Sequence, residues 1–429
     1  MAIVGAGLTG LWTAIHLKEL DPALDVVVLE QAEAAYGASG RNAGMLSETV
    51  DHSHGLAIEH FGEAEARRLA HLGERNVAEM VAFLERHRLD CDYEPVGRLM
   101  VALTPAQLDD ARHTVETAHR LGLDSFTLLS RDALAAEIRS PLYLGGVAVQ
   151  GGGILDPVKL VDGLGHHAEQ LGVRVYERSG VTRVGRAGAG VRLDTEGGHA
   201  LVGRAILATS AYSHHLLPRL TRRFIPLYDY VLVSEPLTSA QREAIGWRRR
   251  QGVTDGRAFF NYYRLTKDDR ILWGTSEAAY HGRNRVDPGC DHSPAHYDAL
   301  LASFRRHFAE LGEIGFPYAW GGAICSTTRL TPFFGRALGG RVLYGLGFTG
   351  HGLGTTRMAG RILAHQALGR DDELLSLALV RRAPFPYPPE PLRTWSVGAV
   401  TRALRRVDAG GRPGLVLKLL DRFGLGFSS

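Results

Sequence analysis

Residues 1–30 read MAIVGAGLTGLWTAIHLKELDPALDVVVLE, and this stretch decides the fold. Ala2 to Val4 is a short apolar run suited to a buried parallel strand. It ends in Gly5-Ala6-Gly7-Leu8-Thr9-Gly10, which opens a helix with apolar residues at Leu11, Ala14, Ile15, Leu17 and Leu20. Asp21-Pro22 stops that helix, and Asp25 to Glu30 reads as a second buried strand ending in an acid twenty residues past Gly10. Gly5 permits the sharp turn, Gly7 lets backbone approach a pyrophosphate, and Gly10 lets helix and strand pack closely. The helix N-terminus offers free N–H groups and partial positive charge to phosphate. Glu30 suits the two ribose hydroxyls of an adenosine and disfavours a 2′-phosphate. The unit therefore binds an ADP-containing dinucleotide, with NAD and FAD both open at this point. The first strand begins directly at Met1, and a start further upstream is expected.

A chain of 429 residues exceeds one ordinary core, so two interleaved domains are expected. Hydrophobic residues at 45% and charged residues at 22% mark a globular protein. A net charge of +3 with scattered arginines argues against nucleic-acid binding. Cys91, Cys290 and Cys325 show neither metal spacing nor an even disulfide framework, which favours a reducing, cytoplasmic setting. No apolar run reaches the ~20 residues that a membrane-spanning helix needs.

Just past Glu30, Tyr36-Gly37-Ala38-Ser39-Gly40-Arg41-Asn42-Ala43-Gly44-Met45 forms a small-residue loop whose backbone N–H groups can meet phosphate. Residues 55–140 are mostly helical, with His52, His54, His60, His71 and His87 expected in surface or capping roles rather than on a metal. Gly145 to Val149 leads through Gly152-Gly153-Ile154-Leu155-Asp156-Pro157 into a helix, and is expected to return the chain to the first domain. From Ile225 antiparallel strands dominate, including a hairpin joining Tyr262-Tyr263-Arg264 to Ile271-Leu272-Trp273 through Lys267-Asp268-Asp269. A second strand, glycine loop and helix occurs at 341–368, containing Gly345-Leu346-Gly347-Phe348-Thr349-Gly350-His351-Gly352. The tail 386–429 is proline-rich and then basic, an amphipathic pattern that suits packing on the body or contact with a membrane surface.

In order, Gly5-x-Gly7-x-x-Gly10 with Glu30, GASGRNAG (37–44), GGILDP (152–157), AILATSAYS (205–213) and LGFTGHG (346–352) resemble the D-amino-acid oxidase superfamily of FAD-dependent oxidoreductases. The loop at 37–44 is most similar to that of gamma-glutamylputrescine oxidase-like members, and glycine and sarcosine oxidases belong to the same superfamily. The resemblance implies an α/β fold: a Rossmann-type FAD-binding domain (1–84, 145–222, 325–385) interleaved with an α+β substrate domain built on an antiparallel sheet (85–144, 223–324), followed by a basic extension. It implies FAD contacts at Gly5, Gly7, Leu8, Thr9, Gly10, Glu30 and Gln31, and along Ser39, Gly40, Arg41, Asn42, Ala43, Gly44 and Met45. Val181 would meet adenine through its backbone, and Thr209 and Ser210 would lie along the dinucleotide. Gly347, Thr349, Gly350, His351 and Gly352 would approach the flavin pyrimidine.

The implied reaction moves a hydride from the carbon beside an amine nitrogen to flavin N5, leaving an imine that hydrolyses; O2 or another electron acceptor completes the cycle. His351, Arg264 and Tyr263 are the expected catalytic or substrate contacts, Arg264 as a carboxylate clamp or as a hairpin partner of Asp268 or Asp269. No metal is expected. Where relatives carry an acid in a T-x-D-x-x-P stretch, this chain reads Thr327-Thr328-Arg329-Leu330-Thr331-Pro332. Cys325 falls near the flavin-linking cysteine of monomeric sarcosine oxidases, with a small buried apolar role as the alternative. Oxidation of a 2-hydroxy acid or polyol, and a non-catalytic flavin-binding role, are the competing readings.

Overall fold

The computed structural model describes residues 1–412 and 414–422. Residue 413 and residues 423–429 of the basic tail lie outside the described residues. Two large sheets organise the chain. The first has six strands in the order Phe333–Ala337, Val342–Leu346, Ala205–Leu207, Ala2–Val4, Val27–Leu29 and Arg174–Tyr176, parallel except at the first pair. Ala2–Val4 and Ala205–Leu207 are fully buried apolar triplets, as the centre of a sheet covered on both faces requires. Helices Leu8–Leu20 and Gly352–Leu368 pack together on it. Their close approach depends on Gly360, where a Cβ would lie 2.7 Å from the Trp12 backbone.

The second sheet has eight strands: Tyr318–Ser326, Ile225–Pro236, Arg270–Ala279, Asn261–Leu265, Gly252–Asp255, Arg98–Ala102, Gly145–Val149 and Phe126–Ser130. It is antiparallel throughout except between Gly252–Asp255 and Arg98–Ala102, which run parallel, so the expected antiparallel sheet is a mixed one. Gly145–Val149 pairs between Arg98–Ala102 and Phe126–Ser130, so the chain returns to the first sheet later than the sequence reading placed it. Gly146 permits this pairing: it seats the strand so closely on Arg98–Ala102 that a Cβ would be 3.1 Å from the Val101 Cα. The surface or capping role expected of the histidines does not hold for His54, which is buried and pushed by burial down to about 4, in the neutral form.

One face of the large sheet carries an aromatic core in which Tyr263 stacks on Trp273 at 4.4 Å and Trp247, Phe304 and Phe308 close around them. The opposite face looks towards the glycine loops of the first sheet. Among the described residues, no helix is long and apolar enough to cross a membrane.

Candidate functional site

A cavity of about 820 Å³ runs from Glu30, past Gly7 and Thr209, to the face of the large sheet. At its narrow end the Glu30 carboxylate is fixed by two backbone donors, Ala6 N at 2.7 Å and Ala32 N at 3.0 Å, one on each oxygen. Each oxygen keeps lone pairs for further donors such as ribose hydroxyls. Gly7 gives helix Leu8–Leu20 no side-chain cap; the Leu8 N–H donates to Ser39 Oγ at 2.9 Å, and the first turn still has further N–H groups to offer a ligand. Gly5, with φ +105°, makes the turn; at Gly7 a Cβ would meet Ser39 Oγ at 2.6 Å. Leu8, Thr9, Gln31, Ser39, Arg41, Asn42, Ala43, Met45, Val181, Thr209 and Ser210 also line the cavity.

Four of the expected contact glycines do not line it. Gly10, Gly40, Gly44 and Gly347 are pressed against backbone or a neighbouring methyl instead: a Cβ at Gly10 would lie 3.1 Å from the Gly5 carbonyl carbon, and one at Gly40 would lie 3.1 Å from that of Ala35. At Gly44 the crowding comes from Leu155, and at Gly347 from Thr327. They shape the cradle from behind.

The second glycine junction opens on the same cavity through Thr349, Gly350, His351 and Gly352. His351 occupies the N-cap position of helix Gly352–Leu368 without capping it. Its Nδ1 lies 3.2 Å from the Thr349 carbonyl, which can only accept, so Nδ1 carries the proton. Burial lowers its pKa and keeps it neutral, and His52 meets it edge to face at 4.9 Å. Cys325 lines this end too, fully buried, and burial pushes its thiol far above the ordinary range. Such a thiol is a poor nucleophile in this setting.

The wide end of the cavity rests on alternate residues of the large sheet. Asp229, Val231, Thr254, Tyr262, Ser276, Trp320 and Ile324 line it. Two expected contacts are corrected here. Tyr263 faces the other side, completely buried, with its hydroxyl hydrogen-bonded to that of Tyr143. Side chains alternate along a strand, so Tyr262 takes the cavity position. Arg264 shares the face of Tyr262 but reaches the loop at 37–44, donating from Nε to the Ala43 carbonyl. It pairs with neither hairpin acid: Asp269 is held by Arg242 and Arg250, and Asp268 by Arg270. Arg264 is a positioning residue for residues 43–44, and burial lowers it to about 10, still charged at neutral pH.

Tyr262 donates to Asp229 Oδ2 at 2.6 Å, across the intervening strand Arg270–Ala279. Gly274 makes that reach possible: a Cβ there would lie 2.5 Å from Tyr262 Oη. Asp229 Oδ1 accepts from Tyr230 N at 2.8 Å, and burial raises the carboxyl to about 7. Gly274→Ala is expected to push the Tyr262 ring off Asp229. Loss of a hydrogen bond to a charged group costs about 1.5–3 kcal/mol, or roughly tenfold or more in kcat/KM. Tyr262→Phe should reproduce most of the loss, and steady-state kinetics of both variants checks it.

The charges around the cavity are unevenly matched. Each arginine that lines it is already ion-paired: Arg41 with Asp291 at 2.7 Å, Arg98 with Glu48 at 2.7 Å and Arg257 with Asp255 at 3.1 Å. Among the described residues no cation pairs with Asp229. Residues that sequence reasoning missed are Asp229, Tyr262, His52, Arg98, the loop 255–260, and a C-terminal helix, Leu392–Asp408, that contributes Val397, Val400, Thr401 and Leu404. Only strand alternation at Tyr262 and the apolar stripe of the tail signalled any of them. Among the described residues no group of His, Cys, Asp and Glu could hold a metal ion.

A ribose-ready carboxylate, two helix N-termini whose N-cap residues give no side-chain cap and a cavity joining them fit FAD. Comparison with known proteins agrees. Residues 1–366 match the family model DAO, FAD dependent oxidoreductase. The gamma-glutamylputrescine oxidoreductase of Escherichia coli K12 is 30% identical over 387 residues, spanning 90% of this chain and 87% of that protein. A probable oxidoreductase, OrdL, of Haemophilus influenzae is 28% identical, spanning 90% and 86%. The crystal structure of glycine oxidase from Geobacillus kaustophilus superposes with a TM-score of 0.75 at 19% identity, covering 89% of this chain and 98% of that one. The chain belongs to the DAO family of FAD dependent oxidoreductases.

Proposed function

We propose that the enzyme oxidises the C–N bond of an amine, with Asp229 as the group that receives the substrate's ammonium proton. The charge pattern of the cavity carries this reading: its arginines are neutralised by their own acids, whereas Asp229 faces the chamber with only Tyr262 Oη and a backbone N–H on it. A cation is drawn to such a wall, and a hydroxyl group far less so. The name of the Escherichia coli relative, an oxidoreductase of gamma-glutamylputrescine, supports an amine over a hydroxy acid.

FAD, when bound, supplies the acceptor for the hydride that leaves the carbon beside the nitrogen. The protein's part is to bring a neutral amine to it. Ionised Asp229 accepts one proton from the ammonium, which frees the nitrogen lone pair, and Tyr262 holds the carboxyl in place. Val231, Ile324 and Trp320 keep the chamber apolar, which strengthens these polar contacts. Trp320 is itself locked by its Nε1 donating to the Arg41 carbonyl at 3.1 Å. The resulting imine takes up water to give a carbonyl compound and a shorter amine or ammonia. Arg264 and His351 shape the cofactor end rather than the reacting carbon. All three cysteines are buried and free, which supports a reducing, cytoplasmic setting.

Turnover with a panel of amines should release carbonyl product and ammonia or amine in equal amounts. Oxygen consumption against dye reduction assigns the acceptor. Carbonyl formation from 2-hydroxy acids or polyols, with none from amines, would replace this reading by the hydroxyl one.

A further inference from the structure

The C-terminal extension starts beyond the matched family region, which ends at residue 366, yet it closes the chamber. Val397, Val400, Thr401 and Leu404 of helix Leu392–Asp408 recur at the spacing of one helical face, and all four line the cavity. The segment is anchored along its length. Tyr387 N donates to the Arg222 carbonyl at 2.7 Å, buried Arg393 donates to Asn284 Oδ1 at 2.7 Å, and Glu390 accepts from Tyr280 Oη at 2.7 Å.

The last anchor is informative. Asp408 sits in the final helical turn, where an acid opposes the helix dipole. Its carboxylate accepts from Ala258 N at 2.8 Å and Phe259 N at 2.9 Å, both in a loop that lines the chamber. Two charge-assisted hydrogen bonds offset the unfavourable placement and tie the helix to Ala258 and Phe259. The apolar side chains of the extension therefore line the same cavity as the polar Asp229–Tyr262 pair.

We propose that residues 385–408 are the outer wall of the substrate chamber and that Val397, Val400 and Leu404 hold the non-reacting arm of the substrate, selecting amines that carry an apolar chain. The substrate class rests on the amine reading above; the wall itself does not. A wall of this kind discriminates by hydrocarbon fit, where a single methylene is worth roughly 10–200-fold.

Two measurements on the full-length holoenzyme test it. The first is acrylamide quenching of flavin fluorescence in wild type and Asp408→Ala, which needs no substrate. The quenching constant is expected to rise at least twofold once the helix is released from loop 255–260; an unchanged constant overturns the wall. The second is kcat/KM for straight-chain 1-aminoalkanes of three to eight carbons in wild type, Val400→Trp and Val400→Ser. The preference for long over short chains is expected to fall about tenfold or more in Val400→Trp and less in Val400→Ser. An identical chain-length profile in all three proteins overturns the specificity role. Quenching that rises in Asp408→Ala, with no amine turned over by wild type, sinks the amine reading and the apolar-amine class with it while the wall stands.

Discussion

Asp229→Asn is expected to lower kcat/KM for amines by about 10²–10⁴-fold, the usual contribution of a positioned proton acceptor. FAD content and the visible spectrum should be retained, because Asp229 lies on the sheet face and not in the glycine cradle. The pH profile separates proton transfer from simple packing. With the carboxyl raised to about 7, wild-type activity should climb as pH rises through 7, and this limb should vanish in the variant. Stability should move the other way. The folded carboxyl is raised above its ordinary 3.8, so its contribution is complete below about pH 4 and is lost as pH rises through 7. Asp51, also raised to about 7 by burial, adds to the same window and remains in the variant. The expected result is a shallower decline of Tm between pH 4 and 8 in Asp229→Asn than in wild type, followed by thermal melts across that range.

Gly10→Ala should have the largest effect on the cofactor. The added methyl would press on the Gly5 carbonyl and lie 3.3 Å from Ile3 Cγ2. Gly5 is hemmed in, because its N–H donates to the Leu29 carbonyl at 2.8 Å and a Cβ on it would lie 3.1 Å from the Ala208 carbonyl carbon. Overpacking of a fixed backbone costs about 1–3 kcal/mol or more. Here it also turns the helix N-terminus off the cavity, so the variant should purify largely colourless, as the ratio of flavin to protein absorbance will show. A fully yellow Gly10→Ala protein would mean that the turn is not the pyrophosphate cradle.

The dinucleotide end was legible because its determinants are local. Gly5, Gly7 and Gly10 act within one strand-turn-helix, and Glu30 directly follows the neighbouring strand, so spacing alone carries the geometry. The substrate end was not, because it depends on which face of a strand meets the cavity. Tyr262 and Tyr263 are adjacent tyrosines in a strand, and only the register of Asn261–Leu265 against Arg270–Ala279 puts Tyr262 over Gly274. Asp229 shares a largely apolar strand with Glu235 and gives no motif; it stands out only through its hydrogen bond to a tyrosine 33 residues away. Arg264, expected as a carboxylate clamp or hairpin partner, shares the face of Tyr262, but its length carries it to Ala43. The tail showed its apolar stripe in sequence, yet the surface that receives the stripe is assembled from loop 255–260 and the large sheet.

The most direct test of the central claim mixes the purified yellow protein anaerobically with pairs of compounds matched except for an amino or a hydroxyl group on the reacting carbon. Bleaching of the flavin band by the amino member of a pair, with the hydroxyl member inert, is the expected result. Bleaching by the hydroxyl members alone, or by no member of a broad panel, would contradict it.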